Sequence, residues 1–259
     1  MAQIGKLAAI PRHPIYNQEE LLPYFFYGNV FFYYICPPNK TKMLRKFKVS
    51  NFKSFEKDFE LDLTDVNAYE FNKNSIKNGI VNNAVIYGYN GIGKSNLALA
   101  IFDIIEHLTD KQRNETAYKN YLNAYCNSEV ACFYYEFLID SKIVVYEYKK
   151  KDYKTIVYER FLIDDNELAC FDRLKDSSAT ISFQGAETLK TIIDNNELSI
   201  LKYIKNNTQL LHNEINDVFF KFFTFIERML YFRSLQDRFF MGLKEEGKSS
   251  ILENIIENN

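Results

Sequence analysis

Eight consecutive residues, Gly88-Tyr89-Asn90-Gly91-Ile92-Gly93-Lys94-Ser95, hold more potential chemistry than any other stretch of this chain. Three of the nine glycines of the sequence fall inside them. Glycine has no Cβ, so the backbone can turn its N–H groups inward and bring them close to an anion. The spacing G-x-x-x-x-G-K-S adds a point charge, Lys94, with the reach to meet the outer phosphates of a polyphosphate, and a hydroxyl, Ser95, that can ligate Mg²⁺. Asn96 closes the run.

A cradle of this kind needs a strand to launch it and a helix to receive it. Ala84-Val85-Ile86-Tyr87 is a short apolar run ending at Gly88, which predicts a buried strand meeting a tight loop. Leu97, Ile101, Ile104, Ile105 and Leu108 recur at helical spacing after the loop, giving a helix with one apolar face and its positive dipole end at the phosphates. Strand, glycine loop and helix follow in the order a P-loop requires. Upstream, Leu44 to Phe52 and Lys57 to Leu63 alternate as an antiparallel pair, and a polar, Asn-rich connection runs from Thr64 to Asn82. Downstream, Phe133 to Ile139, Lys142 to Tyr148, Lys154 to Leu162 and Glu167 to Phe171 have a period of two. They are separated by turn residues at Asp140-Ser141, Lys150 to Asp152 and Asp164 to Asn166, which predicts a β-meander. Helices are expected over Ala186 to Asp194, Glu197 to Asn206, and a run with Ile215, Val218, Phe219, Phe222, Ile226, Met229 and Leu230 on one face. That aromatic stripe reads as core packing in preference to a partner-binding surface.

Composition narrows the classes. The chain has 259 residues, 47% hydrophobic and 25% charged, with 32 basic against 34 acidic side chains. The formal charge of −2 gives no support to a nucleic-acid-coating or polybasic membrane protein, and leaves only a local basic groove for nucleic acid. Cys36, Cys126, Cys132 and Cys170 show neither CxxC pairing nor a histidine at metal-ligand spacing, so they read as reduced thiols of a cytoplasmic protein. All five prolines precede residue 39, which sets residues 1–42 apart as an extension, peripheral or read from an early start, with Met43 opening the fold. Within it Leu21 to Cys36 is apolar but broken by Pro23, Gly28 and Asn29, too short for a spanning helix and without the flanks of a signal peptide.

Asn51-Phe52-Lys53-Ser54-Phe55, the second strand, the Asn-rich connection and Gly88 to Asn96 together resemble the start of an AAA-family ATPase of the ABC/SMC/RecF-like class. Most similar are the bacterial stand-alone AAA ATPase-like proteins often found in phage-defence or toxin–antitoxin settings. The resemblance covers Met43 to Arg173 and extends more loosely into the helical remainder. It implies an α/β P-loop NTPase: residues 43–173 as the N-terminal lobe with its β-meander, and 174–259 as part of a helical insertion. It implies ATP and Mg²⁺ as ligands, and a head-to-tail dimer in which ATP is sandwiched between Lys94 and a partner's signature segment. Lys53 and Ser54 match positions that contact nucleotide phosphates in related ATPases. On the residues alone they read equally well as a solvated turn.

The class completes its site with a Ser-Gly signature and a Walker B strand ending in Asp-Glu. Neither a signature nor a convincing acidic strand follows the loop. Phe161-Leu162-Ile163-Asp164-Asp165 is the one apolar run ending in acids, with Asp164 as the carboxylate for the Mg²⁺ water and Asp165 as general base on that reading. Its place inside the meander makes a hairpin turn the competing reading. The sequence therefore predicts an incomplete core, ending inside the helical insertion, whose missing carboxylates belong to another chain or to a lost part of the gene. Alternative readings are a non-catalytic ATP-binding remnant and a small-molecule phosphotransferase, the latter disfavoured by Arg-poor helices. A GTPase is disfavoured by the absence of an [NT]-K-x-D motif after the loop.

Overall fold

In the computed structural model, residues 33–34, 42–66, 73–109, 111, 115–232 and 240–241 are described. Alternation decides which side of each strand is covered. In β6 (Ala131–Ile139), Ala131, Phe133, Tyr135, Phe137 and Ile139 are buried and the residues between them half-buried, the period of two that one covered sheet face imposes. The strands in chain order are β1 (Tyr33–Tyr34), β2 (Lys42–Ser50), β3 (Phe59–Asp62), β4 (Ile76–Lys77), β5 (Ile80–Val81), β6, β7 (Lys142–Lys150), β8 (Ile156–Ile163), β9 (Asn166–Asp172), β10 (Thr180–Ile181), β11 (Leu230–Phe232) and β12 (Phe240–Met241). The helices are α1 (Lys94–Leu108), α2 (Ile200–Asn207) and α3 (Glu214–Glu227). The chain is thus mixed α/β, built around a seven-stranded sheet of order β10-β9-β8-β7-β6-β2-β3 in which every pairing is antiparallel.

The meander follows from its turns. Asp140-Ser141 and Asp164-Asp165 all have positive φ (49°, 68°, 47° and 63°), the two-residue geometry whose twist matches the flanking strands. At the β7–β8 corner the Asp152 carboxylate accepts from the N–H groups of Lys154 and Thr155 at 2.8 Å each. In β2 the pairing with β6 slips between Leu44 and Lys46. The extra residue lets Leu44, Phe47 and Val49 all face the core although Arg45 and Lys46 stand side by side.

Helices cover one face of this sheet. Phe222 of α3 meets Phe137, Tyr146 and Phe161 at ring distances of 5.5, 6.0 and 5.2 Å, so the aromatic stripe belongs to the core. Ser199 caps α2 through the Leu201 and Lys202 N–H groups. Behind that cap the buried Glu159 carboxylate accepts from Ser199 Oγ (2.6 Å), Ile200 N (2.8 Å) and the Tyr146 hydroxyl (2.7 Å), placing negative charge at the positive end of a helix. On the same covered face Asp103 of α1 meets Lys150 of β7 at 2.8 Å, both side chains fully buried.

Several sequence expectations are corrected. Ala186 to Asp194 is not a helix. Ala179 N donates to Thr191 O at 2.8 Å, Ser178 bridges Ile192, and Gly185 turns the chain at φ 94°, so backbone pairing with residues 178–179 overrides the helical spacing. Met229 and Leu230 lie beyond the end of α3, Leu230 on a strand. The connection from Thr64 to Asn82 contains a small hairpin, β4–β5, turned by Asn78-Gly79 at φ 52° and 71°. The boundary at Met43 is also too sharp: Lys42 already belongs to β2, and Tyr33–Tyr34 pairs with Leu230–Phe232 in a second, three-stranded sheet. The rest of the leader, with its prolines and Cys36, lies outside the described residues. No described helix is long and apolar enough to cross a membrane.

Removing one member of a fully buried ion pair strands the other. Asp103→Ala is expected to destabilise the protein by about 3–5 kcal/mol, whereas Asp103→Leu with Lys150→Met leaves no lone ammonium and loses less, its remaining loss coming from the Tyr121 and Tyr148 hydroxyls deprived of their acceptor. Urea denaturation of the three proteins measures the difference, and equal losses would refute the pairing.

Candidate functional site: the loop from Gly88 to Asn96

The loop folds around the lysine that follows it. Gly93 is the N-cap of α1 with φ 104°, and Gly91 has φ 81°, backbone that side chains with a Cβ seldom adopt. These two residues curl the chain so that Lys94, 8% exposed, folds back beneath the loop. Its Nζ donates to Gly88 O and Tyr89 O, both at 2.8 Å. No side chain caps the first turn of α1, and no acidic residue lies in it. A positive helix end, an ammonium and a glycine-rich bend therefore converge within nine residues. Ser95 and Asn96 are half-buried on that first turn, and Asn90 and Tyr89 are exposed above it, Tyr89 by 89%.

The helix that carries the lysine is buried on nearly all sides. Leu97, Ile101, Ile104, Ile105 and Leu108 are all within the core, as expected, together with Asp103, Glu106 and His107. Asp103 Oδ2 accepts from the Tyr148 hydroxyl and Lys150 Nζ at 2.8 Å each, and Oδ1 from the Tyr121 hydroxyl at 2.9 Å. Burial first, and then the Asp103 charge, push the Tyr121 and Tyr148 hydroxyls well above the ordinary phenol range, so they stay protonated and donate. Tyr135 adds a bond from its hydroxyl to Ala100 O at 2.9 Å. These contacts fix where the helix begins, and hence where the loop sits.

A second turn abuts the loop. Phe52 and Phe55 form a two-bond bridge with Lys53 and Ser54 at its tip. Ser54 Oγ accepts from Asn96 Nδ2 at 3.0 Å, and it lies 2.6 Å from the position a Cβ on Gly93 would take. Lys53 behaves differently: its ammonium, whose pKa burial lowers, donates to Lys119 O at 2.7 Å. Of the two candidates in this turn, Ser54 is placed against the loop and Lys53 is tied to the segment beyond α1.

Two expectations about the site fail. Ala84 to Tyr87 forms no strand, with Ala84 exposed and Tyr87 53% exposed. A strand needs a neighbour for its backbone groups, and among the described residues none pairs with this run; the places beside β2 belong to β3 and β6. Asp164 and Asp165 form the β8–β9 turn. There Asp164 accepts from Ile143 N at 2.9 Å and pairs with Lys142 at 3.0 Å. That end of the sheet lies roughly 25 Å of strand from the Ser50–Cys132 end that holds the loop. The Ile143 N–H, then Lys142, outweigh burial and hold the Asp164 carboxyl below its ordinary range, the opposite of what a general base needs. The acids are turn chemistry and do not form a Walker B pair with this loop.

Among the described residues no cluster of three or more His, Cys, Asp or Glu could hold a metal. Cys126, Cys132 and Cys170 are free and half-buried. Sequence reasoning missed Asn51 and Asn123, whose amides hold the Lys53-Ser54 turn, and the buried Asp103–Lys150 pair. Asn51 stood inside the quoted motif, while Asp103 gave only the faint signal of an acid amid apolar helix residues. No protein-family model matches the chain, and a search of curated proteins finds none similar to it.

Gly93→Ala would force a Cβ into the left-handed region and onto Ser54 Oγ, at an expected cost of about 1–3 kcal/mol. Adding Ser54→Gly should restore the steric share and leave the backbone share. Thermal melts of the single and double variants test this, and no recovery in the double would show that the Ser54 contact is slack.

Proposed function

We propose that the chain binds Mg-ATP at residues 88–96, as the nucleotide-binding half of an ATPase of the AAA-family, ABC/SMC/RecF-like kind. The observation that carries the reading is Lys94, folded under a bend made by Gly91 and Gly93 with its ammonium held between two loop carbonyls. Phosphate oxygens are better partners for that ammonium than neutral carbonyls, because opposite full charges add a Coulomb attraction that a carbonyl dipole lacks. The β- and γ-phosphates would replace Gly88 O and Tyr89 O, the first-turn N–H groups of α1 would meet the same oxygens, and Ser95 would hold the Mg²⁺. A bound Mg²⁺ would offset the charge of the phosphates.

Binding and turnover separate in this reading. Hydrolysis needs a carboxylate to orient the attacking water in line with the leaving phosphate. Asp164 and Asp165, the acids the sequence offers, stand at the far end of the sheet. On this reading a separate chain supplies the signature segment and the Walker B acids, and ATP controls that association. A non-catalytic ATP-binding protein is the second reading, favoured by the same placement of the two acids.

Calorimetry of the full chain is expected to give Mg-ATP binding that Lys94→Ala weakens by at least about tenfold, roughly 1.4 kcal/mol. Phosphate release by the chain alone is expected to stay near background. Parental affinity in Lys94→Ala overturns the site, and robust Lys94-dependent release overturns the need for a partner.

A further inference from the structure

The turn that abuts the phosphate loop is made of backbone its own residues do not favour. Asn51 and Lys53 both lie in the left-handed region, at φ 51° and 47°. Asparagine tolerates this conformation and lysine does not, and such backbone persists only where the surroundings over-determine it. Here the surroundings are a single segment, residues 119–130. The Asn51 amide, 2% exposed, donates to Ser128 O (2.6 Å) and Val130 O (2.9 Å), and its Oδ1 accepts from Asn123 N (3.2 Å). Asn123 Nδ2 donates to Lys53 O at 2.6 Å, Lys53 N to Tyr121 O at 3.0 Å, and Lys53 Nζ to Lys119 O at 2.7 Å. The strained turn is thus bonded through both its backbone and its lysine to one strap.

We infer that Asn123 and Ser54 are positioning residues for the nucleotide: the 119–130 strap, through Asn123, holds the 51–55 turn so that Ser54 fixes the start of α1 and the aim of the loop. This rests on the reading of residues 88–96 as the Mg-ATP site. A phosphate nest gains affinity from donors fixed before the ligand arrives, since ordering them on binding subtracts from the gain. Gly93 gives the bend its freedom and has no side chain to hold it. The bond from Asn96 to Ser54 and the seat of Ser54 over Gly93 supply that hold from outside. Tyr121 ties the same strap to Asp103 on α1, so strap, turn and helix start form a closed circuit around the loop.

The test compares Mg-ATP affinity, measured below each melting transition, with the melting temperature of the nucleotide-free protein. Asn123→Ala and Ser54→Ala are expected to weaken binding by about tenfold, and Ser54→Thr, which keeps the hydroxyl, by no more than about twofold. Ser54→Ala should leave the melting temperature of the free protein unchanged, because the residue is exposed. Tyr125→Ala, 84% exposed on the same strap, should change neither quantity. A purely structural role would lower melting temperatures and leave affinity at the parental value. Parental affinity in Asn123→Ala alongside lost binding in Lys94→Ala overturns the positioning role and leaves the Mg-ATP site standing. Parental affinity in Lys94→Ala, or no binding by the parent, overturns both. Should Asn123→Ala fail to fold, Asn123→Asp keeps the acceptor for Tyr125 N–H and loses the donor to Lys53 O, with the same expectation and the same refutation.

Discussion

Asp103 and Lys150 meet at 2.8 Å with no side-chain surface exposed, and the placement of α1 depends on that contact. Taking both charges out of water costs several kcal/mol per ion, and the pair repays it only if the remaining lone pairs are also met. The tyrosines do this. Tyr148 and Tyr121 donate to the two Asp103 oxygens, and the Tyr148 and Tyr135 hydroxyls lie 3.2 Å apart. Each of these partners comes from a different part of the chain: β6, β7 and the segment after α1. A shift of α1 by one residue would leave a buried carboxylate facing apolar side chains, so one register is strongly favoured. In these positions the tyrosines have a definite electrostatic task.

A second polar cluster extends the same logic across the sheet. His107 Nε2 lies 2.9 Å from the Tyr146 hydroxyl, which itself donates to Glu159 at 2.7 Å. Since a hydroxyl has one proton and the ionised carboxylate can only accept, the His107 Nε2 must carry a proton toward Tyr146. Glu159 then caps α2 through Ile200 N. The helix bearing the loop and the helix after the meander are joined through β7 and β8 by hydrogen bonds as well as by apolar packing. Such a network specifies an arrangement more narrowly than area burial does, because each partner has a direction.

The sequence made the antiparallel sheet legible because its two signals, alternation and turn residues, agree at Asp140-Ser141 and Asp164-Asp165. Both are local, and both survive in the fold. The β4–β5 hairpin carried an equally local signal, Asn78-Gly79, hidden in a stretch read only as polar. Ala186 to Asp194 was misread because helical spacing of apolar residues says nothing about a distant backbone partner, and Ala179 N–H claims Thr191 O. Asp103, Lys150 and Glu159 were illegible for a related reason. Charged residues on strands and helices are ordinarily solvated, and only the three-dimensional pairing reveals that these are not. In the candidate site the loop was legible by motif, while its external brace depends on Asn51 and Asn123, seventy-two positions apart.

The contrast between Ala84–Tyr87 and α1 bears most directly on function. Both flank the loop, and the motif expects both to be buried. The helix is buried almost all round, held by the antiparallel sheet and by α2 and α3. The apolar run before the loop has no strand beside it among the described residues, and its Val85 and Ile86 are only half-buried. Half of the loop's framework is thus complete within this sheet and half is open. A loop fixed by its helix and by the Ser54 turn, with an apolar segment on its other side that pairs with no described strand, is asymmetric in the way the proposed completion by another chain requires. On the proposed reading, strands bringing carboxylates to this loop would lie beside Ala84 to Tyr87, where the described fold places none, and Asp164 and Asp165 are left to their own turn.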